Sequence, residues 1–120
     1  MEFSVEFVEL ENDKKPLAVF VVDLSIEDRA KVSETFNFFL ELKKRNLPIK
    51  ENLSTHLDEG NYDLRISLSH KIARILSYYQ KGANIIITHG FIKKSQKTPA
   101  KEIARAKKYR EIYSRRKYND

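Results

Sequence analysis

The chain of 120 residues contains no cysteine and no tryptophan, and it has only 3 glycines and 3 prolines. Without cysteine it cannot form a disulfide framework, a cysteine–zinc site or a thiol nucleophile. The glycines are isolated, which excludes a P-loop and a dinucleotide-binding fingerprint. The longest apolar runs, such as 17–22 and 85–87, are far shorter than a membrane-spanning helix.

The sequence also lacks a signal-peptide pattern, and a Gly-x-Ser-x-Gly nucleophile motif is absent. The three histidines, His56, His70 and His89, do not have the spacing of paired metal ligands. We therefore expect a cytoplasmic protein that uses no metal, no cofactor and no membrane. The length suits a single domain over residues 1–120, and 41% hydrophobic residues suffice for a small core.

What the chain does have is an uneven distribution of charge. Residues 1–60 hold 8 Lys and Arg against 13 Asp and Glu, a net charge of −5. Residues 61–120 hold 15 Lys and Arg against 4 Asp and Glu, a net charge of +11. This asymmetry suggests a polyanion as partner of the basic half, most simply a nucleic acid, and a merely solvated surface is the alternative.

In the acidic half, alternating apolar residues predict a strand within Glu2–Leu10. The apolar run 17–22 fits either a strand or a short helix that starts at a proline. A clear helix follows from Ile26 to about Arg45, with Ser25 as N-cap and Asp28 in a capping-box position. One face of this helix is apolar, as expected for a helix that packs on a sheet.

The basic half begins after a polar connection at 49–59. Three strands are predicted near 63–69, 71–79 and 83–91, with a tight turn at 80–82, and their order describes an antiparallel meander. A basic loop at 93–98 leads into a final helix with Thr98 as N-cap, Pro99 at its first position and many cations. This order predicts an α+β fold: a small antiparallel sheet, N-terminal helices and a basic C-terminal helix.

Clustered cations are the main candidates for chemistry. Five of them fall on neighbouring strands and the following loop: Arg65, Arg74, Lys93, Lys94 and Lys97. If the strands adjoin, these side chains converge on one sheet face, where they can bind phosphate. The alternatives are edge charges or salt bridges, for example to Asp63, and a solvated lysine loop. His89 fits either a general base or a structural histidine.

Four segments of the basic half resemble the RelE/HigB toxins, and more specifically the phage-derived HigB-like branch of type II toxin–antitoxin systems. They are DLR at 63–65, RILSYY at 74–79, HGFIKKSQKTP at 89–99 and EIARA at 102–106. The third segment is long and the most specific. The family usually has Glu where this chain has Asp63. The acidic half resembles the family only in its order of elements.

The resemblance implies a RelE-like microbial RNase fold, with a helix after Pro16, and a ribosome-dependent mRNA endonuclease. It implies two partners: a cognate antitoxin, commonly of helix-turn-helix type, and mRNA on the ribosome, with contacts to ribosomal RNA. Catalytic roles would fall to Arg65, Arg74, Lys93, Lys94 and Lys97. We predict RNA contacts for Tyr79, His89, Phe91, Arg105 and Lys108, although the aromatic residues also fit a core.

Such cleavage needs no metal, because RNA supplies its own nucleophile, the 2′-hydroxyl, and cations stabilise the phosphorane. Crowded cations also lower one another's pKa, so a lysine can transfer a proton near neutral pH. We expect Arg74→Ala to abolish growth inhibition and leave the fold intact. The alternatives are a non-catalytic nucleic-acid-binding module and a toxin homologue that has lost its activity.

Overall fold

The computed structural model describes residues 3–80, 83–94 and 98–119. It confirms the α+β class. The elements in chain order are β1 (Ser4–Phe7), α1 (Pro16–Val22), α2 (Ile26–Lys44), β2 (Ser54–His56), a 3-10 turn (Asp58–Gly60), β3 (Asn61–Leu68), β4 (Lys71–Gln80), β5 (Asn84–Lys93) and α3 (Ala100–Asn119). No helix in this described part is both long enough and apolar enough to cross a membrane.

The five strands form one sheet in the order β1-β5-β4-β3-β2. The predicted meander of β3, β4 and β5 is antiparallel throughout. β1 lies parallel to β5, so the sheet is mixed and not wholly antiparallel as expected. The connection predicted at 49–59 was wrong in part, because it contains β2, which pairs with β3. β2 has only three residues and no apolar alternation, which leaves no signal in the sequence.

The main hydrophobic core lies between α1, α2 and one face of the sheet, and α1 is the short helix that the resemblance implied. The buried side chains of this core are Leu17, Leu24, Val32, Phe39, Leu64, Ile66, Leu68, Ala73, Ile75, Ile85 and Ile87. α1 lies close to β5, where the Phe20 ring covers the backbone of Gly90. A Cβ at Gly90 would come within 2.6 Å of that ring, so this contact requires glycine.

α2 begins as predicted, because the Ser25 hydroxyl accepts the Asp28 N–H at 3.1 Å. The Asp28 carboxylate makes a different contact from that of a capping box. It accepts the Ser69 N–H at 3.0 Å, in the turn between β3 and β4, and lies 4.0 Å from Lys71. Asp28 therefore joins the first turn of α2 to the turn of the hairpin that carries both predicted arginines.

α3 packs on the opposite face of the sheet and also holds β1. Glu6 of β1 accepts hydrogen bonds from Lys117 at 2.5 Å and from the Tyr113 hydroxyl at 2.7 Å. The Arg116 guanidinium donates to the carbonyl of Leu10 in the loop that follows. Two of the cations that made α3 basic thus bind groups within the protein, which reduces the unpaired positive charge on the surface of α3.

We expect acid to weaken this contact between β1 and α3. Lys117, Asn84 and Tyr113 lower the pKa of Glu6 from 4.5 to about 2, so its stabilisation is present above about pH 5 and is lost as the pH falls toward 2. Solvent screening limits it to about 1 kcal/mol. In urea unfolding, Glu6→Gln should be less stable than wild type near neutral pH and equally stable near the folded pKa. An equal difference in unfolding free energy between wild type and Glu6→Gln at both pH values would show that the charge of Glu6 does not stabilise the contact.

Candidate active site

The register of the hairpin brings three of the predicted cations to one face of the sheet. Arg65 pairs directly with Arg74, and Lys93 pairs with Ile72, which lies two positions before Arg74 in β4. Because side chains alternate between faces, Arg65, Arg74, Ile72 and Lys93 all lie on the face that α3 covers. The convergence predicted from the sequence is therefore present for these three cations.

α3 covers only part of this face. Its Ala106 packs on Leu76 and Phe91, and its later residues pack near β1. Toward the turn between β3 and β4, Ile72 and Lys93 are only half-buried. The uncovered end forms an open cleft of about 740 Å³, lined by Arg65, Ser67, Leu68, His70, Lys71, Ile72, Lys93 and Lys94. Among the described residues, the lining contains four Lys or Arg side chains and no carboxylate, so the cleft suits an anion.

Arg74 lies at the back of this cleft and is not part of its lining. Its Nη1 is 3.0 Å from Asp63 Oδ2, and the two side chains are 8% and 3% exposed. This is the salt bridge that the sequence left open as an alternative. Within residues 3–80, 83–94 and 98–119, Arg74 Nε has no hydrogen-bond partner. Arg74 therefore contributes both a buried ion pair and one unused donor.

The pKa of Lys93 is shifted by its burial and by these neighbours. Burial lowers its pKa, the positive charges of Arg74 and Arg65 lower it further, and Asp63 opposes the shift. A lysine with a lowered pKa is a better proton donor and acceptor near neutral pH. Lys94 follows β5, is exposed and lines the same cleft. Lys97 lies outside the described residues.

His89 is buried under α3 and does not line the cleft. Its Nε2 lies 3.2 Å from Glu102 Oε1, and its Nδ1 lies 3.2 Å from the Thr88 hydroxyl. Burial lowers the pKa of His89, and the hydrogen bond and charge of Glu102 act in the opposite direction. Arg105 Nη1 is 3.3 Å from the same Glu102 oxygen. These contacts fit the structural interpretation of His89 better than a general base.

The other predicted RNA contacts are dispersed. Phe91 is buried against Leu76 and Ala106, so its ring is not available for stacking on a base. Tyr79 lies on the opposite face, where Lys43 Nζ is 4.7 Å from the centre of its ring. Lys108 is exposed on α3, outside the cleft. The structure thus brings Arg65, Arg74, Lys93 and Lys94 together and leaves Tyr79, Phe91 and His89 out.

Sequence reasoning missed two contributors to the site. Asp63 was noted only as a possible partner, yet both of its oxygens are in use: Oδ1 accepts the Thr55 N–H at 3.1 Å, and Oδ2 contacts Arg74 and accepts the Thr98 hydroxyl at 3.4 Å. Its position two residues before Arg65 was the available signal, because it places both on one face. Lys71 lines the cleft beside the turn and had no signal in the sequence.

The arrangement can bind and stabilise phosphate with side chains alone. Arg65, Lys71, Lys93 and Lys94 surround the open cleft, and Lys93 is the group best suited to move a proton. Among the described residues, no group of three or more His, Asp and Glu side chains is placed to hold a metal ion. The side chains of the cleft can stabilise a phosphate by their positive charge, and Lys93 can transfer a proton.

Comparison with known proteins gives a family for this fold and site. A comparison with curated protein sequences finds no significant match. The model of the family described as phage-derived protein Gp49-like (DUF891) matches residues 20–111, which include α2, the meander and the cleft. That family is related to the RelE and HigB toxins. The chain belongs to the phage-derived Gp49-like family.

Proposed function

We propose that this protein is the toxin of a type II toxin–antitoxin system, of the HigB-like branch, and that it cuts mRNA on the ribosome. The observation that carries the proposal is the position of Lys93. It lies at the rim of a cationic cleft, where burial and two arginines on the same sheet face lower its pKa. Family membership supports a toxin-like protein, and the cleft supports a phosphate substrate.

In this reaction, the 2′-hydroxyl of RNA attacks the adjacent phosphorus, and the bond to the 5′-oxygen of the next nucleotide breaks. Arg65 and the lysines of the cleft neutralise the charge that develops on the phosphate oxygens. Lys93 either accepts the proton of the 2′-hydroxyl or donates a proton to the leaving 5′-oxygen, and water exchanges the other proton. Dependence on the ribosome accounts for the small catalytic site, because ribosomal RNA can position the message and supply binding energy.

A second candidate function is a non-catalytic nucleic-acid-binding module, and the exposed cations of α3 favour it. Lys101, Lys107, Lys108 and Arg115 are exposed along the helix. For such a module, each alanine substitution would weaken binding in a graded and salt-dependent way. Cleavage at discrete positions, lost on a single substitution at the cleft, distinguishes the toxin from this alternative.

Primer extension on a translated message tests the function. The protein is induced in a bacterial host that carries a reporter message and a second copy without its start codon. We expect growth arrest and discrete cuts in the translated copy only. Arg65→Gln removes a cation that lines the cleft and is not part of the buried ion pair, and it should reduce cutting about tenfold or more. An intact translated message in cells that contain folded wild-type protein would refute the proposal.

We propose a cognate helix-turn-helix antitoxin as the protein partner in the cytoplasm. Exposed apolar side chains support a protein contact: Val19 and Val22 on α1 and Ile26 at the start of α2 are each at least half exposed. The test is co-expression with the product of the adjacent reading frame. We expect the two chains to purify together and growth to recover. Continued growth arrest without co-purification would contradict this partner.

A further inference from the structure

Asp63 joins three separate parts of the fold at the back of the cleft. Its carboxylate contacts Arg74 of β4, the backbone of Thr55 in β2 and the hydroxyl of Thr98, two residues before α3 begins. A buried carboxylate is costly unless charges and hydrogen bonds compensate it. Asp63 is only 3% exposed, and these contacts use both of its oxygens.

We propose that Asp63 is a positioning residue for the cleavage reaction: it holds the Arg74 guanidinium beside Lys93 and ties both to the start of α3. This inference rests on the proposed function and adds a residue that does not itself touch RNA. An arginine side chain has many rotamers, and a carboxylate that binds its Nη1 limits it to few of them. Without Asp63, the buried guanidinium has no counter-charge and does not remain in place.

The charge of Asp63 has a second effect, which acts on Lys93. Arg65 and Arg74 lower the pKa of Lys93, and Asp63 is the neighbour that raises it. The charged or titratable groups around Lys93 in the described residues are Asp63 and Arg65 of β3, Arg74 of β4, and His70, Lys71 and Lys94 around the cleft. Asp63 is the only carboxylate in this set, so its removal leaves no negative charge in the set to oppose the lowering of the Lys93 pKa.

Three variants separate the two effects of Asp63. Asp63→Asn removes the charge and keeps the shape, and Asp63→Glu keeps the charge. Arg65→Gln removes a charge of the opposite sign. The titration of Lys93 is followed by the NMR shift of its Cε carbon in the complete protein. We expect Asp63→Asn to lower the midpoint of the Lys93 titration by about 0.5 pH unit or more. Asp63→Glu should leave this midpoint unchanged, and Arg65→Gln should raise it.

Cleavage is then measured on purified ribosomes that carry a message. We expect Asp63→Asn to lower kcat about tenfold or more with little change in KM, and Asp63→Glu to restore most of the rate. The pH profile of Asp63→Asn should move to lower pH together with the titration of Lys93. If Asp63 only supports the fold, Asp63→Asn should lose stability, but its pH profile and the titration of Lys93 should not move.

The titration does not depend on activity, so it separates this inference from the proposed function. If wild type cuts no RNA, the proposed function fails, and the Lys93 midpoints still decide the effect of Asp63. A folded Asp63→Asn protein with the wild-type midpoint and rate overturns the inference. If Asp63→Asn does not fold, the NMR signal of the Arg74 Nε–H in the wild-type protein tests the inference. We expect slow hydrogen exchange and restricted rotation of the guanidinium. A motionally averaged signal like that of exposed Arg115 would overturn the inference.

Discussion

Replacing Lys93 with methionine should abolish RNA cleavage while the protein stays folded. Methionine keeps most of the apolar stem of the half-buried lysine and removes the group that transfers a proton in the proposed reaction. General acid–base catalysis contributes about 100-fold to 10,000-fold, so we expect cleavage in the ribosome assay to fall at least about 100-fold. Growth arrest on induction should disappear with it.

The matched control for this change is Lys44→Met, which makes the same change of charge at an exposed position at the end of α2. It should leave cleavage and growth arrest as in wild type. If both variants reduce cleavage equally, the effect is one of overall charge on RNA binding. If Lys93→Met cuts at the wild-type rate, Lys93 has no part in the chemistry.

Replacing Arg74 with alanine should have its largest effect on stability, whereas the sequence alone predicts that this variant keeps its fold. The change leaves the Asp63 carboxylate buried without its counter-charge. Breaking a buried pair on one side costs about 3–5 kcal/mol, which is a large part of the stability of a small domain. Urea unfolding should show this loss, and the soluble yield should fall.

The double variant Asp63→Asn with Arg74→Met provides the control, because neither buried charge is then left alone. It should be more stable than Arg74→Ala and than Asp63→Asn, although it should not cut RNA. Equal stability of Arg74→Ala and wild type would show that the pair contributes nothing to folding. Only in that case would a loss of growth arrest in Arg74→Ala report on chemistry directly.

Much of the fold could be predicted from residue patterns, because α2 and the meander have strong periodicity and clear caps. The parallel pairing of β1 with β5 could not, since alternation along a strand marks its buried face and says nothing of the direction of its neighbour. β2 could not be found either, because so short an edge strand forms through its hydrogen bonds to the neighbouring strand and has no residue pattern of its own. α1 needed the family resemblance to decide between helix and strand.

The parts of the site that depend on the alternation of side chains along a strand could be predicted from the sequence. Arg65 and Arg74 could be assigned to strands, and the hairpin register places them opposite each other. The burial of Arg74 depends on how far α3 extends over the sheet, which no local pattern gives. The motif placed Tyr79 near Arg74. The two residues are five positions apart in the strand, so their side chains lie on opposite faces of the sheet.

The pairing of β1 with β5 also determines the order in which the molecule can assemble. Ser4 meets Asn84, which is made 80 residues later, and Glu6 meets Lys117 near the end of the chain. The strand synthesised first is therefore among the last to find its partners, and such distant contacts slow folding. Asp63 likewise cannot contact the Thr98 hydroxyl until Thr98 has been synthesised. A nascent chain that ends before α3 already contains the described residues that line the cleft, but it lacks Lys117, the residue of α3 that binds Glu6 of β1.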